Sequence, residues 1–423
     1  MQESIAIESS PKDLAVSKAG RHLAAYYVVE GLTSAAATLL IVGVFFYTED
    51  QFGWGLQQNF LLATVQGMVY AVGALLAAVL TRRFGRRHTL VVAYLAMALV
   101  AAGGLLTHSR TLVTAALLAY SFVVAITWPA LESLVSSSTD DPQVMSRRLG
   151  IYNLVWAGTA VMALAVNGAI IQYYPPGVFL IPLIVHTLCS GIIGWTAGQS
   201  AGNAAEASPA AAEHPLAPAA TLLAQRRLAL WLSRLALPAT YMVIYSLAAL
   251  MPLLPAMEHL STSTKTLVGS TWMAGRWIAF YVLGITTYWH SRPRLLLWGA
   301  CAMLVAFLGT IIRPSDLLGT AQISPAIDLA AMIAWQGVLG AALGLIYAGS
   351  LYFGMVLSQG STEHGGYHEA LIGLGSVLGP GVGVLALSMS QGNIRVGLAG
   401  VAGIVGASVL AAGIASIRLR SSD

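Results

Sequence analysis

The sequence predicts an all-α membrane protein with twelve transmembrane helices. Apolar residues make up 57% of the 423 residues, charged residues make up 9%, and the mean hydropathy is +0.75. Soluble domains carry about 25% charged residues, so a soluble chain of this composition would lack polar surface. Apolar runs long enough to cross a bilayer recur along the chain. The predicted spans are Leu23–Tyr47, Phe60–Leu80, Leu90–Thr107, Thr111–Leu131, Leu149–Ile171, Val178–Ala197, Leu235–Met257, Thr266–Trp289, Leu295–Ile312, Leu329–Leu357, Ala370–Met389 and Val396–Ile417.

Lysine and arginine are unequally distributed between the turns, and this predicts the orientation. The turn Thr81–Leu90 (TRRFGRRHTL) holds four arginines between two uncharged spans. With both termini in the cytoplasm, cytoplasmic segments hold 16 of the 21 lysines and arginines, and outer segments hold 4. Positive residues resist translocation. We therefore expect a multi-pass protein of the plasma (inner) membrane with both termini cytoplasmic.

The predicted spans divide the chain into two bundles of six helices, residues 23–197 and 235–417. Residues 1–22 and 418–423 are predicted cytoplasmic ends, and residues 198–234 a cytoplasmic linker whose Ala-, Pro-rich part suggests a flexible tether. The linker ends in Leu222–Leu235, where leucines and a tryptophan alternate with three arginines. This pattern is typical of an interfacial helix, but it also suits the start of the seventh span.

The two halves repeat a spacing of arginines. Arg21 and Arg82 lie 61 residues apart, and Arg234 and Arg292 lie 58 residues apart at the equivalent positions of the second half. This repetition indicates an internal duplication with two pseudo-symmetric bundles, an arrangement found in transporters with parallel repeats.

The turn after the second span carries the most specific motif. Its aligned residues are Ala78, Leu80, Arg82, Arg83, Gly85, Arg86 and Arg87. They resemble the pattern G-x-L-x-D-R-x-G-R-R of the major facilitator superfamily, with the R-x-G-R-R half intact, Ala78 at the leading glycine and Arg82 at the aspartate. The resemblance extends over nearly the whole chain through the twelve spans, the six-plus-six division and the central linker. It implies two bundles around a central cavity, with this turn as the cytoplasmic gate motif.

A second motif lies in the eleventh span, at Gly375, Gly379, Pro380 and Gly383. It resembles G-x-x-x-G-P-x-x-G-G, which marks many antiporters of the same superfamily in the fifth span. In the fifth span of this chain, Met162 and Ala163 stand where that pattern has Gly-Pro. Small residues at this spacing let helices approach closely, and Pro380 permits a bend. The motif therefore indicates either helix packing or a hinge.

Ionisable residues inside the spans are costly in hydrocarbon, and each requires an explanation. Glu30 lies roughly 10 Å and Arg276 roughly 15 Å into their predicted spans, at 1.5 Å per residue. Glu30 and Glu132 are candidates for proton coupling, since burial favours a protonated carboxyl group and a nearby cation favours the ionised form. A fixed hydrogen bond or ion pair is the alternative for Glu30. A gate salt bridge or a solvated helix end is the alternative for Glu132.

Arg276 is a candidate for binding an anionic group of a substrate, or for neutralising a carboxylate of the protein. Other polar and aromatic residues are candidates for the cavity wall, with ordinary interhelix packing as the alternative for each. They are Tyr241, Tyr245, Trp272, Trp335, Gln336, Asn153 and Tyr27, together with Tyr26 and Tyr352.

Glu369 opens the eleventh span, where the helix dipole favours a carboxylate whatever its function. The preceding segment Gly360–Ala370 is rich in His and Glu, but its spacing matches no strong metal-ligand pattern. We therefore expect no metal site.

The predicted function is secondary active transport of a small solute by alternating access, with protons as the coupling ion. The alternatives are a facilitator without ion coupling and a membrane sensor or scaffold with the same fold. The sequence contains neither a Walker sequence nor a catalytic pattern. We therefore expect no enzyme activity and no cofactor. We expect a monomer in the lipid bilayer that binds no nucleic acid and moves a neutral or anionic solute. The direction of transport is not determined by the sequence.

Overall fold

A computed structural model of the chain describes residues 11–136, 142–200, 220–292, 294–319, 323–358 and 362–418. These ranges are almost entirely α-helical and contain no β-strand. Short 3₁₀ helices occur at Met251–Leu253, Pro255–Met257 and Tyr288–Ser291. The α-helices are α1 (Pro11–Ile41), α2 (Val44–Phe52), α3 (Leu56–Phe84), α4 (Arg86–Leu105), α5 (Arg110–Ser136), α6 (Pro142–Tyr173), α7 (Gly177–Ser200), α8 (Ala220–Leu250), α9 (Thr262–Gly269), α10 (Thr271–Ile285), α11 (Arg294–Ile311), α12 (Pro314–Leu318), α13 (Pro325–Ser358), α14 (Thr362–Met389) and α15 (Ile394–Arg418).

Eleven helical segments within the described ranges are long and apolar enough to cross a membrane. Their outer surfaces carry large apolar side chains, among them Leu99 at 73% and Leu385 at 63% exposure. Such surfaces are stable against lipid, because a helix satisfies its backbone polar groups internally. The predicted all-α membrane fold is confirmed. We call α1–α7 the first half and α8–α15 the second half.

The predicted eighth span, Thr266–Trp289, is divided in the structure, so eleven segments meet the length criterion instead of twelve. Ser270 separates α9 from α10. Its hydroxyl donates to the carbonyl of Leu267 at 2.7 Å, and its N–H donates to the carbonyls of Thr266 and Leu267.

The first span is longer than predicted and contains a break. The helical segment covers Gly20–Phe52, with α1 ending at Ile41 and α2 beginning at Val44. The N–H groups of Val42 and Gly43 both donate to the carbonyl of Thr38, at 3.3 and 2.8 Å. Two N–H groups on one carbonyl widen the helix by one residue, as in a π-bulge.

The arginine-rich motif forms the turn between α3 and α4. Gly85 joins the two helices with φ +79° and ψ 149°, a conformation that glycine adopts most readily. Arg82 and Arg83 are exposed, whereas Nε of Arg87 donates to the hydroxyl of Tyr26 at 3.0 Å. The motif therefore makes a tight turn and fastens α4 to α1 within the first half.

The linker prediction falls mostly on residues 201–219, which lie outside the described residues, as do the chain ends 1–10 and 419–423. The segment Leu222–Leu235 lies within α8, which is one continuous helix from Ala220 to Leu250. The seventh span thus extends further toward its amino terminus than predicted.

Glycines bring the two halves into close contact along α3 and α14, the most extensive contact between them. A Cβ on Gly67 would lie 2.8 Å from Cβ of Ser376, and a Cβ on Gly373 would lie 2.6 Å from Cβ of Ala71. The helices therefore approach backbone to backbone, which small residues permit.

The glycines of the eleventh-span motif also lie at helix contacts. A Cβ on Gly375 would lie 2.2 Å from the carbonyl oxygen of Pro238 in α8, and a Cβ on Gly383 would lie 2.4 Å from the ring of Phe60 in α3. Gly379 faces α8 in the same way, and Pro380 lies inside α14. These contacts favour the packing interpretation of the motif, and its use as a hinge stays a prediction.

Polar side chains join the two halves at the end opposite the arginine-rich turn. Thr262 in α9 donates its hydroxyl to Asp50 in α2 at 2.6 Å. Lys265 in α9 forms an ion pair with Glu49 at 3.3 Å. These contacts close this end of the molecule. The hydrogen bond between Thr262 and Asp50 is exposed and contributes little by itself, whereas the Lys265–Glu49 pair is partly buried, with side-chain exposures of 11% and 25%.

The close approach of α3 and α14 predicts a cost for the smallest added side chain. We expect Gly373→Ala to lower the melting temperature of the purified protein, because overpacking costs about 1–3 kcal/mol. The control is Gly381→Ala in the same helix, where the new Cβ would first meet Thr64 at 3.5 Å. That variant should melt at or slightly above the wild-type temperature, since alanine favours helix. Equal melting of both variants would contradict the contact.

Candidate functional site

A cavity of about 130 Å³ lies between the two halves. It is lined by α1, α3, α5 and α6 from the first half and by α8, α10, α13 and α14 from the second. Its ionisable lining residues are Glu30, Arg276 and Glu369, and its aromatic lining residues are Tyr70, Trp128, Tyr152, Trp156, Tyr241, Tyr245, Trp272 and Tyr347. The cavity thus combines charged groups with a largely aromatic wall, a composition suited to a small ligand.

Glu30 points into this cavity from α1. The residue is 1% exposed, and its Oε1 accepts a hydrogen bond from the hydroxyl of Ser34 at 3.0 Å, one helical turn away. Its Oε2 is buried without a hydrogen-bond partner among the described residues. One carboxyl oxygen is therefore held in position, while the other is left for a proton, a water molecule or a ligand.

Glu369 faces the same cavity from α14, and the sequence interpretation of this residue was wrong. The helix begins at Thr362, so Glu369 lies two turns inside it instead of at its amino terminus. The residue is 2% exposed and accepts a hydrogen bond from the hydroxyl of Tyr70 in α3. The carboxyl group thus joins the two halves through a tyrosine.

Arg276 lies in a cage of aromatic rings. Its guanidinium carbon is 4.6 Å from the ring centres of Trp156 and Tyr347, 5.5 Å from that of Phe280 and 5.9 Å from that of Tyr241. One amino group of the guanidinium donates to the Tyr241 hydroxyl at 3.3 Å. Each desolvated cation–π contact stabilises by up to about 2 kcal/mol. The rings therefore enclose the guanidinium group on several sides.

Glycines of α13 allow α10 to carry Arg276 this close to its neighbours. A Cβ on Gly340 would lie 1.9 Å from the carbonyl oxygen of Trp272, and a Cβ on Gly344 would lie 3.2 Å from that of Arg276. Arg276 is 4% exposed, its Nε has no hydrogen-bond partner, and it forms no ion pair within the described part of the chain. A buried cation without a carboxylate at ion-pair distance is costly, which makes Arg276 a candidate contact for an anionic group.

One sequence interpretation placed Glu132 at a solvated helix end, and the structure contradicts it. The helix α5 continues to Ser136, and Glu132 is 0% exposed. Neither carboxyl oxygen has a hydrogen-bond partner among the described residues, and the residue does not line the cavity. The structure therefore places a third carboxyl group in the protein interior, with no salt bridge in the described chain.

The structure brings together four of the predicted substrate-site residues and separates the others. Arg276, Tyr241, Tyr245 and Trp272 line the cavity. Asn153 lies behind the cavity wall, where its side-chain oxygen accepts from the indole N–H of Trp156 at 3.1 Å.

Three further candidates do not line the cavity. Tyr27 donates its hydroxyl to the carbonyl of Arg148 at 3.3 Å, and Gln336 is buried in α13 away from the lining. Trp335 packs against Gly309 beside a wholly apolar groove of about 410 Å³ on the second half. The described residues that line this groove carry no ionisable side chain.

Several lining residues escaped the sequence analysis, among them Trp156, Tyr347 and Glu369. Spans carry many aromatic residues, and nothing in their spacing distinguishes a cavity ring from a packing ring. Glu369 had a usable signal, because extending the eleventh span by two turns places it inside a helix.

The His- and Glu-rich segment is only partly described, and the side chain of His364 lies outside that part. His368 lies with Nδ1 3.0 Å from the hydroxyl of Ser350, and its ring is packed edge-on against Tyr347. No group of three His, Cys, Asp or Glu residues suited to a metal occurs among the described residues.

The sequence profile of the Major Facilitator Superfamily matches residues 25–380 of the chain. A search of curated proteins by sequence finds no match. Among solved structures, the chain is similar to a crystal structure of a point-mutant form of the nucleoside transporter NupG, with a TM-score of 0.61 and 11% identity. The match covers 94% of this chain and 99% of that chain, so the likeness extends over the whole fold.

The aromatic cage predicts an energetic coupling between the two halves. We expect Trp156→Leu to lower the melting temperature much less in an Arg276→Met background than in the wild type, because the cation–π contact is already lost. The coupling should amount to about 1 kcal/mol. Trp128→Leu is the matched control, since Trp128 lines the cavity without a ring contact to Arg276. Additive effects of Trp156→Leu and Arg276→Met would contradict the proposed contact.

Proposed function

Because the chain belongs to the Major Facilitator Superfamily, we propose that it is a proton-coupled secondary transporter that moves a small solute by alternating access. The chain is an integral multi-pass membrane protein of a transporter family. The observation that carries the finer proposal is the cavity between the halves, where Glu30, Glu369 and Arg276 lie together. Intramembrane ionisable groups at such a position are typical of ion and substrate pathways.

Protons are the proposed counter-charge of the carboxyl groups. Glu30 and Glu369 have no cationic partner at ion-pair distance among the described residues. A carboxyl group in a low-dielectric site is neutralised at least cost by binding a proton. When the halves move apart and water enters, the same group loses its proton readily. Alternation of the cavity between the two sides then carries protons across the membrane.

Arg276 is the proposed contact for an acidic or strongly hydrogen-bonding group of the substrate. The guanidinium is desolvated and oriented by Trp156 and Tyr347, and its Nε is unpartnered in the described structure. A solute with one acidic group would neutralise the arginine, while the aromatic wall would cover its apolar part. The volume of about 130 Å³ limits the solute to a small molecule.

Orientation follows from the arginine distribution. We place both termini in the cytoplasm, so the end closed by Asp50–Thr262 and Glu49–Lys265 faces the outside. Contacts of this kind are weak enough to open and reform during each cycle. We place the carrier in the plasma membrane. We also propose that it functions as a monomer, because residues of one chain line the cavity.

A thermal-shift screen of the purified protein tests the substrate site. The panel contains monocarboxylates, dicarboxylates, sugars, amino acids and nucleosides, and a true ligand raises the melting temperature by mass action. We expect hits with an acidic or multiply hydrogen-bonding group. Arg276→Gln should raise the half-saturating concentration of a hit about tenfold or more, because one charge-assisted hydrogen bond is worth about 1.5–3 kcal/mol. An unchanged value would exclude Arg276 from binding.

Proton coupling is tested with the hit solute in proteoliposomes under an imposed pH gradient. The wild type should accumulate the solute and lose accumulation when the gradient is dissipated. Glu30→Gln and Glu369→Gln should abolish accumulation but retain exchange of labelled for unlabelled solute, since glutamine cannot carry a proton.

The matched control is Glu258→Gln, an exposed carboxylate outside the cavity, which should behave as wild type. Wild-type transport without accumulation would indicate a facilitator, and binding without any transport would indicate a sensor. Full gradient-driven accumulation by both Glu30→Gln and Glu369→Gln would exclude these residues as the proton carriers.

A further inference from the structure

The break between α1 and α2 leaves backbone oxygens without helical partners inside the protein. In a regular helix the carbonyl of Leu39 would accept from Gly43, but the N–H of Gly43 donates to Thr38 instead. No backbone N–H in the described chain is bonded to the carbonyl of Val42 either. Buried backbone carbonyls are normally paired, so this group of oxygens requires a partner.

Asn167 of α6 faces this break with an unsatisfied amide. A Cβ on Gly43 would lie 2.0 Å from Nδ2 of Asn167 and 3.2 Å from the carbonyl oxygen of Leu39, so the amide and this carbonyl are close neighbours. Asn167 is 0% exposed, and neither its nitrogen nor its oxygen has a hydrogen-bond partner among the described residues. Rotating the amide by 180° therefore brings its oxygen to the break without losing a hydrogen bond.

Gln66 of α3 approaches the next carbonyl of the same break. Its Nε2 lies 3.5 Å from the carbonyl oxygen of Leu40, at the limit of a hydrogen bond. Gln66 is 1% exposed, and its Oε1 is buried without a partner in the described chain. Two buried amides from different helices thus flank the carbonyls of two consecutive residues.

We propose that the break binds a monovalent cation, sodium, through neutral oxygens. The ligands are the carbonyl oxygens of the broken helix together with the side-chain oxygens of Asn167 and Gln66. Hard cations prefer oxygen ligands, and unwound carbonyls of a discontinuous transmembrane helix are a known means of holding sodium. No carboxylate is required, because several aligned carbonyl and amide dipoles replace the hydration shell of the ion.

The site lies between the cavity and the closed end of the molecule. Ile41 and Val42 at the break also line the cavity. Next to Asn167, the N–H of Gly168 donates to the hydroxyl of Thr266 in α9 at 2.9 Å. A cation that holds Asn167 in place therefore also supports the contact between α6 and the second half. Sodium binding should favour the conformation in which this end is closed.

Sodium alone is the probe for this site. The proposed sodium site does not depend on proton coupling. The purified full chain, without added solute, is melted in increasing sodium chloride, with choline chloride keeping the total salt constant. We expect a saturable rise in the melting temperature with sodium and little change with potassium. Equal melting in sodium and choline would overturn the proposal, whatever the result of the transport experiments.

Substitutions then locate the site. Asn167→Leu should raise the half-effective sodium concentration about tenfold or more, as expected for the loss of one ligand. Gln336→Leu is the control, because Gln336 is an equally buried and unpartnered amide of the described chain in the second half. It should keep the full sodium response.

A second substitution tests the site even if Asn167→Leu does not fold. Asn167→Asp preserves the size of the side chain and adds a carboxyl group that ionises at high pH, so it should lower the half-effective sodium concentration in alkaline buffer. A sodium response that is unchanged in Asn167→Asp, or that survives in folded Asn167→Leu, would place the ion elsewhere and overturn the assignment.

Discussion

Charge neutralisation inside the bilayer is the constraint on which the arrangement of this protein depends. A charged side chain in hydrocarbon is unstable unless protein groups, water or a ligand compensate it. Glu30, Glu369 and Arg276 come from three helices of two halves, yet they converge on one cavity. The outer surface of the helices remains apolar, as Leu99 and Leu385 illustrate. The same separation of charge from lipid supports the proposal that a solute binds in this cavity.

The compensation within the cavity is incomplete, and this gives the site its chemistry. Arg276 is surrounded by rings instead of carboxylates, with Trp156 and Tyr347 each 4.6 Å away. Rings stabilise a cation without neutralising it. Glu369 is bonded to Tyr70, and Glu30 to Ser34, both neutral partners. Each charge of the cavity thus keeps an affinity for a mobile partner, which a fixed salt bridge would remove.

The two halves touch in two physically different ways. Along α3 and α14, glycines such as Gly373 bring backbones together and form a tight apolar contact. At the closed end, Asp50 and Thr262 meet through partly solvated polar groups. A carrier needs both kinds of contact, because close packing maintains the assembly while weak polar contacts separate and reform. The break in the first span lies between these regions, beside the cavity.

The sequence alone determined the all-α membrane fold and the family resemblance, because bilayer length and apolar composition are properties of each segment by itself. It also singled out Glu30 and Arg276, since ionisable residues are rare in such segments. Which aromatic residues join them was decided by tertiary structure. Trp335 and Tyr347 share one helix, yet only Tyr347 lines the cavity, because the neighbouring helices determine the face that each residue meets. The place of Glu369 in the cavity was likewise decided by a hydrogen bond from a distant helix, which no local pattern contains.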